Sequence, residues 1–187
     1  MKKRNQFHIL FLFPVILVVA GMFFSCSNDL EQVKRITMSP NSPEETSEQF
    51  HVIFTDSGYA SFELFAGIAE TYVEPKRVTQ FKNGLKVLFF DDQGNVTSLL
   101  TSVYGEVDEE TGNIEVRDSV EFLNQSTQEL LKTEVLYWNK IADSIYTDKP
   151  VVLKAPDKVI TGIGARTNHL MDTLVVYKPQ AVIYSHK

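Results

Sequence analysis

From Gln49 onward the apolar residues of this chain recur at every second position. In Tyr59–Tyr72, the residues Phe62, Leu64, Ala66 and Ile68 share one face of an extended strand. In Gly84–Phe90, the residues Leu85, Val87 and Phe89 do the same. A period of two belongs to a β-strand with one buried face, because successive side chains leave a strand on opposite sides. Asp91-Asp92-Gln93-Gly94-Asn95 then reads as a turn, and Val96–Val107 resumes as strand. Val, Ile, Thr, Tyr and Phe are abundant, with Gly, Asp and Asn at the joints. No stretch here carries an i, i+3, i+4, i+7 stripe longer than two turns. The expectation is an all-β, mostly antiparallel domain over residues 50–187.

The alternation is organised as repeated hairpins. One unit runs Thr101–Val107, a turn at Glu109–Asn113, then Ile114–Phe122. A second runs Thr133–Trp138, a turn at Asn139–Asp143, then Ser144–Leu153. A third runs Thr161–Thr167, a turn near Asn168–Asp172, then Thr173–Ile183. Each unit is two strands around a polar turn. Stacked hairpins bury one face against the next, which gives a sandwich, a jellyroll or a short solenoid.

The N-terminus is of another kind. Met1-Lys2-Lys3-Arg4 is a basic start, and Phe7–Phe24 is apolar except for His8. Eighteen helical residues span about 27 Å, just short of a ~30 Å hydrocarbon core. The segment reads either as one transmembrane helix with its basic end cytoplasmic or as a secretory signal. Phe23-Phe24-Ser25-Cys26 is a loose lipobox, which makes Cys26 the candidate lipidation site. Both readings place the rest of the chain outside the cytoplasm and tethered to a membrane. Residues 1–26 are therefore expected to be the anchor. Residues 27–49, with Pro40, Pro43 and a Ser/Asn/Glu cluster, are expected to be a linker.

Charge and chemistry narrow the function. The chain carries a formal charge of −6, and loss of Lys2, Lys3 and Arg4 takes it to −9. Nucleic acid, which demands a basic face, is excluded. Cys26 is the only cysteine, so no intramolecular disulfide forms. His51, His169 and His186 are scattered, without zinc-ligand spacing. Neither a nucleophile elbow nor a P-loop occurs. Asp91–Asn95 lacks calcium-loop spacing, and Asp108-Glu109-Glu110 lies in a turn, where a solvated run outweighs an acid–base pair. No catalytic residue, metal or cofactor is expected, and the chain reads as a non-enzyme.

Phe81-Lys82-Asn83-Gly84-Leu85-Lys86-Val87-Leu88-Phe89-Phe90-Asp91 resembles the F-x-x-G-L-x-V-x-F-x-D/N stretch of the LptC family. Val96–Gly105, Leu136-Tyr137-Trp138 with Ile145–Asp148, and Val159–Gly164 are similar to later stretches of that family, in the same order. Cys26-Ser27-Asn28-Asp29 resembles the anchor end of its Bacteroidetes-type members. The resemblance covers about Asp56 to Tyr184. It implies a twisted, open V-shaped β-jellyroll at the periplasmic face of the inner membrane. It also implies a bridging role: lipopolysaccharide accepted from an inner-membrane ABC transporter and passed to LptA through an apolar groove. Groove candidates are Phe62, Leu64, Ala66, Ile68, Leu85, Val87, Phe89, Leu100, Tyr104, Val120 and Phe122, with Ala66, Ser102 and Gly164 small enough to leave room. Leu174, Val175, Val176 and Tyr177 form the candidate edge strand for the LptA side, since they are apolar and free of charge. Pro179 is a candidate edge blocker that keeps Gln180–Lys187 out of the ladder. The competing reading is an envelope β-sandwich lipoprotein that binds carbohydrate or protein through exposed aromatics, with Tyr137 and Trp138 on a rim.

Overall fold

The computed structural model describes residues 42–56 and 58–184, and the expected anchor, including Cys26, lies outside them. Among the described residues eleven strands form one antiparallel sheet: β1 (Glu45–Asp56), β2 (Tyr59–Tyr72), β3 (Val78–Phe90), β4 (Val96–Ser102), β5 (Tyr104–Asp108), β6 (Ile114–Asn124), β7 (Leu130–Asn139), β8 (Ser144–Lys154), β9 (Lys158–Thr167), β10 (Val175–Val176) and β11 (Ala181–Tyr184). The order across the sheet is β1-β2-β3-β4-β6-β7-β8-β9-β10, with β5 beside β3 and β6, and β11 beside β9. Nearly every neighbour is also the next strand in sequence, so the polar turns suffice as connections. At Asp91 the side chain accepts the amides of Gln93 and Asn95, both at 2.9 Å, which fixes the turn expected there. Among the described residues there is no helix.

The long strands do not run straight. Each is interrupted near its middle, and the interruptions align. Gln49 and Gly67 face each other unpaired between flanking ladder pairs. Gly67 also faces Asn83 and Gly84, where the β2–β3 register shifts. The Gly84 amide reaches the Val103 carbonyl, and the Val103 amide reaches that of Asp118. Register shifts continue between Arg117 and Val120, Thr133 and Tyr137, and Thr147 and Pro150. Gln49, Asn83, Gly84, Asp118, Ser119, Gly164 and Lys178, all on this line, have positive φ. A row of bulges bends the long strands at the same level, and Gly67 shows why the bend is tight. A Cβ there would meet the Asn83 Cβ and carbonyl oxygen at 2.8 Å.

The crease divides the sheet into two leaves. One leaf holds β4, β11 and the halves of the long strands that pair with them. The other holds β5, β10 and the remaining halves. Their apolar faces meet: Phe62 and Phe89 of the first leaf pack edge-on against Trp138 of the second, with ring centroids 5.4 and 5.3 Å apart. The result is an all-β jellyroll folded as a V, as the hairpin pattern and the family resemblance imply.

Three boundaries differ from the expectations. β1 starts at Glu45, inside the segment read as linker, because the β2 ladder continues past the crease to Glu45↔Thr71. Val96–Val107 is two strands, split at the crease by Val103. The third hairpin's closing strand is broken into β10 and β11 around Lys178 and Pro179, and Ala181–Tyr184 rejoin β9. Pro179 therefore interrupts the edge locally without ending it.

Candidate functional site

The space between the leaves is the candidate site. Phe62, Leu64, Ala66, Leu85, Val87, Phe89, Leu100, Val120 and Phe122 are all buried there, nine of the eleven expected groove residues. Phe89 is 1 % exposed and touches the rings of Phe62, Phe122 and Trp138. Phe122 reaches it across Ser98, which is fully buried and small enough to let the two rings meet. Ala66, Ser102 and Gly164 border the crease.

Two expected groove residues are elsewhere. Ile68 is only half-buried, and Ala69 takes the inward place. The bulge at Gly67 flips the alternation, so a period of two read straight through it assigns the wrong face. Tyr104 lies past the split at Val103 and faces outward, while Gly105 faces in. Its hydroxyl donates to Glu106 at 2.7 Å and Arg117 lies 4.0 Å over its ring. Burial, helped by that carboxylate, pushes the Tyr104 phenol up to about 12.

The interior changes along its length. At the β1 side the leaves part around a cleft of ≈210 Å³, with Phe50, Phe54, Ala69 and Phe81 inside and Glu45, Ser47, Thr71, Thr79 and Glu109 around it. Phe54 stacks on Phe62 with centroids 4.3 Å apart and continues the apolar surface inward. Deeper in, between Leu64, Val87, Leu100, Val116, Leu136 and Ile145, the remaining void is only ≈30 Å³ and wholly apolar. The middle of the V is packed. Any chain lying there must part the leaves.

A short segment holds the leaves together across the mouth. After β9 the chain crosses from the second leaf to the first. Ser98 Oγ donates to the His169 carbonyl at 2.7 Å, and Asn124 Nδ2 donates to the Met171 carbonyl at 3.1 Å. Met171 is 1 % exposed and sits in the core. The other end is tied down by the His169 ring, 2.7 Å from Asp143. This strap, residues 168–172, escaped the sequence reading, where it is a polar turn. The apolar pair Leu170-Met171 between polar residues was the only signal.

The edges of the sheet are the second candidate. The expected edge strand is shorter than its apolar run: only Val175 and Val176 pair with β9, while Leu174 packs on the core. Tyr177 is exposed and still exchanges backbone bonds with Gly164 and Ile163. β11 extends this edge and is exposed throughout. On the opposite edge, β1 leaves one side of its backbone, over 12 residues, without a partner strand among the described residues, with Ile53 and Phe54 exposed.

Charged residues gather outside. Asp108 is held well below the usual carboxylate range, chiefly by the Lys76 ammonium at 2.5 Å. Glu70 is lowered by Lys82, also at 2.5 Å. Among the described residues, no group of three or more His, Cys, Asp or Glu side chains is arranged to hold a metal ion. Trp138 and Tyr137 separate: Trp138 points into the interior and Tyr137 away from it, so they do not form one exposed aromatic rim.

A family model described as "Lipopolysaccharide-assembly, LptC-related" matches residues 13–181. A search of curated proteins returns no match.

Proposed function

Because the chain belongs to the LptC family of lipopolysaccharide assembly, we propose that it is the membrane-tethered bridge of that transport. In this reading it accepts lipopolysaccharide from an inner-membrane ABC transporter and passes it to an LptA-like protein. The family places the chain in lipopolysaccharide transport in the cell envelope. The bridging steps, the partners and the tether are our reading. One observation carries it: two apolar leaves meet along a crease and part at the β1 side around a cleft with an apolar floor.

Acyl chains would lie between the leaves, against Phe62, Leu64, Leu85, Val87, Phe89 and Leu100. Each CH₂ withdrawn from water contributes about 0.8 kcal/mol, and that gain would offset the leaf-to-leaf contacts that the acyl chains displace. Loading would start at the β1 side, where the cleft already stands open. The two unpaired edges would extend the sheet into partners by strand addition. The β1 edge would face the transporter, and β10 with β11 would face the LptA-like protein. The anchor in residues 1–26, with Cys26 lipidated or Phe7–Phe24 spanning, would hold the domain at the inner membrane.

A photo-crosslinking amino acid at Leu100, inside the V, tests this in living cells. The expected result is an adduct with lipopolysaccharide, absent when the probe stands at exposed Val103. Lack of an adduct at Leu100 would overturn the conduit. Removal of residues 181–187 should abolish capture of an LptA-like partner while leaving the interior adduct unchanged.

A further inference from the structure

Outside the V, on the second leaf, four side chains stand directly opposite one another across adjacent strands: Glu106, Glu115, Tyr137 and Tyr146. They line a cleft of ≈250 Å³. Trp138 lines the same cleft and also lines the interior void, so the cleft borders the mouth of the V. We propose that this cleft is a saccharide site, which holds an uncharged sugar of the lipopolysaccharide headgroup while the acyl chains lie inside. The inference rests on the transport reading above.

The chemistry of the lining selects the ligand. Tyr137 and Tyr146 have ring centroids 5.5 Å apart, and Tyr146 is 44 % exposed. Such rings offer an apolar face to the C–H side of a sugar and a hydroxyl to its rim. Glu106 and Glu115 face each other, a like-charge pairing that costs stability in a sheet. Glu106 is partly satisfied by Tyr104 and Gln80, but among the described residues Glu115 has only Arg117, 4.0 Å away. Sugar hydroxyls are the donors such carboxylates lack, and a hydrogen bond to a charged group is stronger than one between neutral groups. The Trp138 indole N–H is covered and has no partner among the described residues.

Phosphate is disfavoured by the same lining. Among the described residues Lys76 is the one cation that lines the cleft, and it is already bound to Asp108, so an anion would meet Glu106 and Glu115 with only Arg117, 4.0 Å from Glu115, to offset them. The phosphorylated part of a headgroup would be turned away from this face, and an uncharged sugar would be retained.

Trp138 is the only tryptophan and borders both the cleft and the interior, so its fluorescence reads the cleft when the probe carries no acyl chain to enter the interior. The full chain is titrated with the sugar portion of lipopolysaccharide from the producing bacterium, freed of acyl chains and phosphate. A saturable change in emission is expected. Tyr146→Ala should weaken it at least tenfold, with near-ultraviolet circular dichroism confirming an intact fold. Oligosaccharide that keeps its phosphates should also bind at least tenfold more weakly. No saturable change, equal binding by Tyr146→Ala, or tighter binding of the phosphorylated form would each overturn the site. The Leu100 crosslink separates the two readings. An adduct without saccharide binding refutes the cleft alone, and saccharide binding without an adduct refutes the interior alone.

Discussion

Replacement of Met171 by alanine tests whether the strap holds the leaves together. The side chain is 1 % exposed, and its neighbours in the strap are tied to both leaves through Ser98, Asn124 and Asp143. Those ties hinder the strap from collapsing into the space the side chain leaves. Truncation of a buried Met costs about 2–5 kcal/mol, with larger values where the site cannot relax. A value near 3 kcal/mol is expected here, a large share of the about 5–15 kcal/mol that stabilises a typical domain. The loss falls on the closed position of the strap, so its opening equilibrium should shift by about two orders of magnitude, at 1.4 kcal/mol per factor of ten. Hydrogen exchange with mass spectrometry reads this directly. Peptides covering 168–172 should exchange about 100-fold faster in Met171→Ala, while β3 and β6 stay more protected than the strap. Denaturant unfolding should show the matching fall in midpoint. A fall below about 1 kcal/mol, with exchange of 168–172 unchanged, would refute the strap. If the strap does gate the interior, the variant should also take up a fluorescent acyl chain faster than wild type.

Three further outcomes follow from the same geometry. Asn124→Asp keeps the oxygen that accepts the Ser126 and Thr127 amides at 2.8 and 2.9 Å, but loses the donor to the Met171 carbonyl. The ionised acid has no proton to donate there, so at neutral pH the variant should be less stable than the parent chain by about 1–3 kcal/mol, measured as Tm; an unchanged Tm would count against the bond. Gly162→Ala would place a Cβ 2.6 Å from Val176 Cγ1 and 2.7 Å from the Tyr177 carbonyl. It should detach β10 and open a protease cut near Tyr177, and an unchanged digest would refute the tight contact. In an ultraviolet titration of the tyrosines, Tyr104→Phe should remove a phenol that ionises at about 12. The unfolded phenol ionises near 10, so the stability it contributes is present below pH 10 and lost between 10 and 12.

The sequence made the strands legible wherever a strand ran straight. Phe62, Leu64 and Ala66, then Leu85, Val87 and Phe89, were assigned to the right face because alternation survives between bulges. The turns of the first two hairpins were also legible, since Asp, Asn and Gly there supply local hydrogen bonds and left-handed backbone. Ile68 and Tyr104 went wrong one step beyond a bulge. At Asn83, Asp118 and Ser119 a residue with a Cβ adopts positive φ, and nothing in the alternation marks the place. The candidate edge at Leu174–Tyr177 was half legible: its apolar character was plain, but its length depended on Gly162 and Gly164 beneath it.

The strand-rich pattern, the buried faces between bulges and the family were thus determined by the chain alone, because each rests on residues close in sequence. The crease, the strap and the cleft beside Trp138 were decided only by the tertiary structure. The crease exists because bulges on neighbouring strands fall at one level, which is a matter of register across the sheet. The strap exists because the fold carries Met171 to Asn124, 47 residues away. The cleft exists because Glu106, Glu115, Tyr137 and Tyr146 come from four strands that meet only once the sheet has formed.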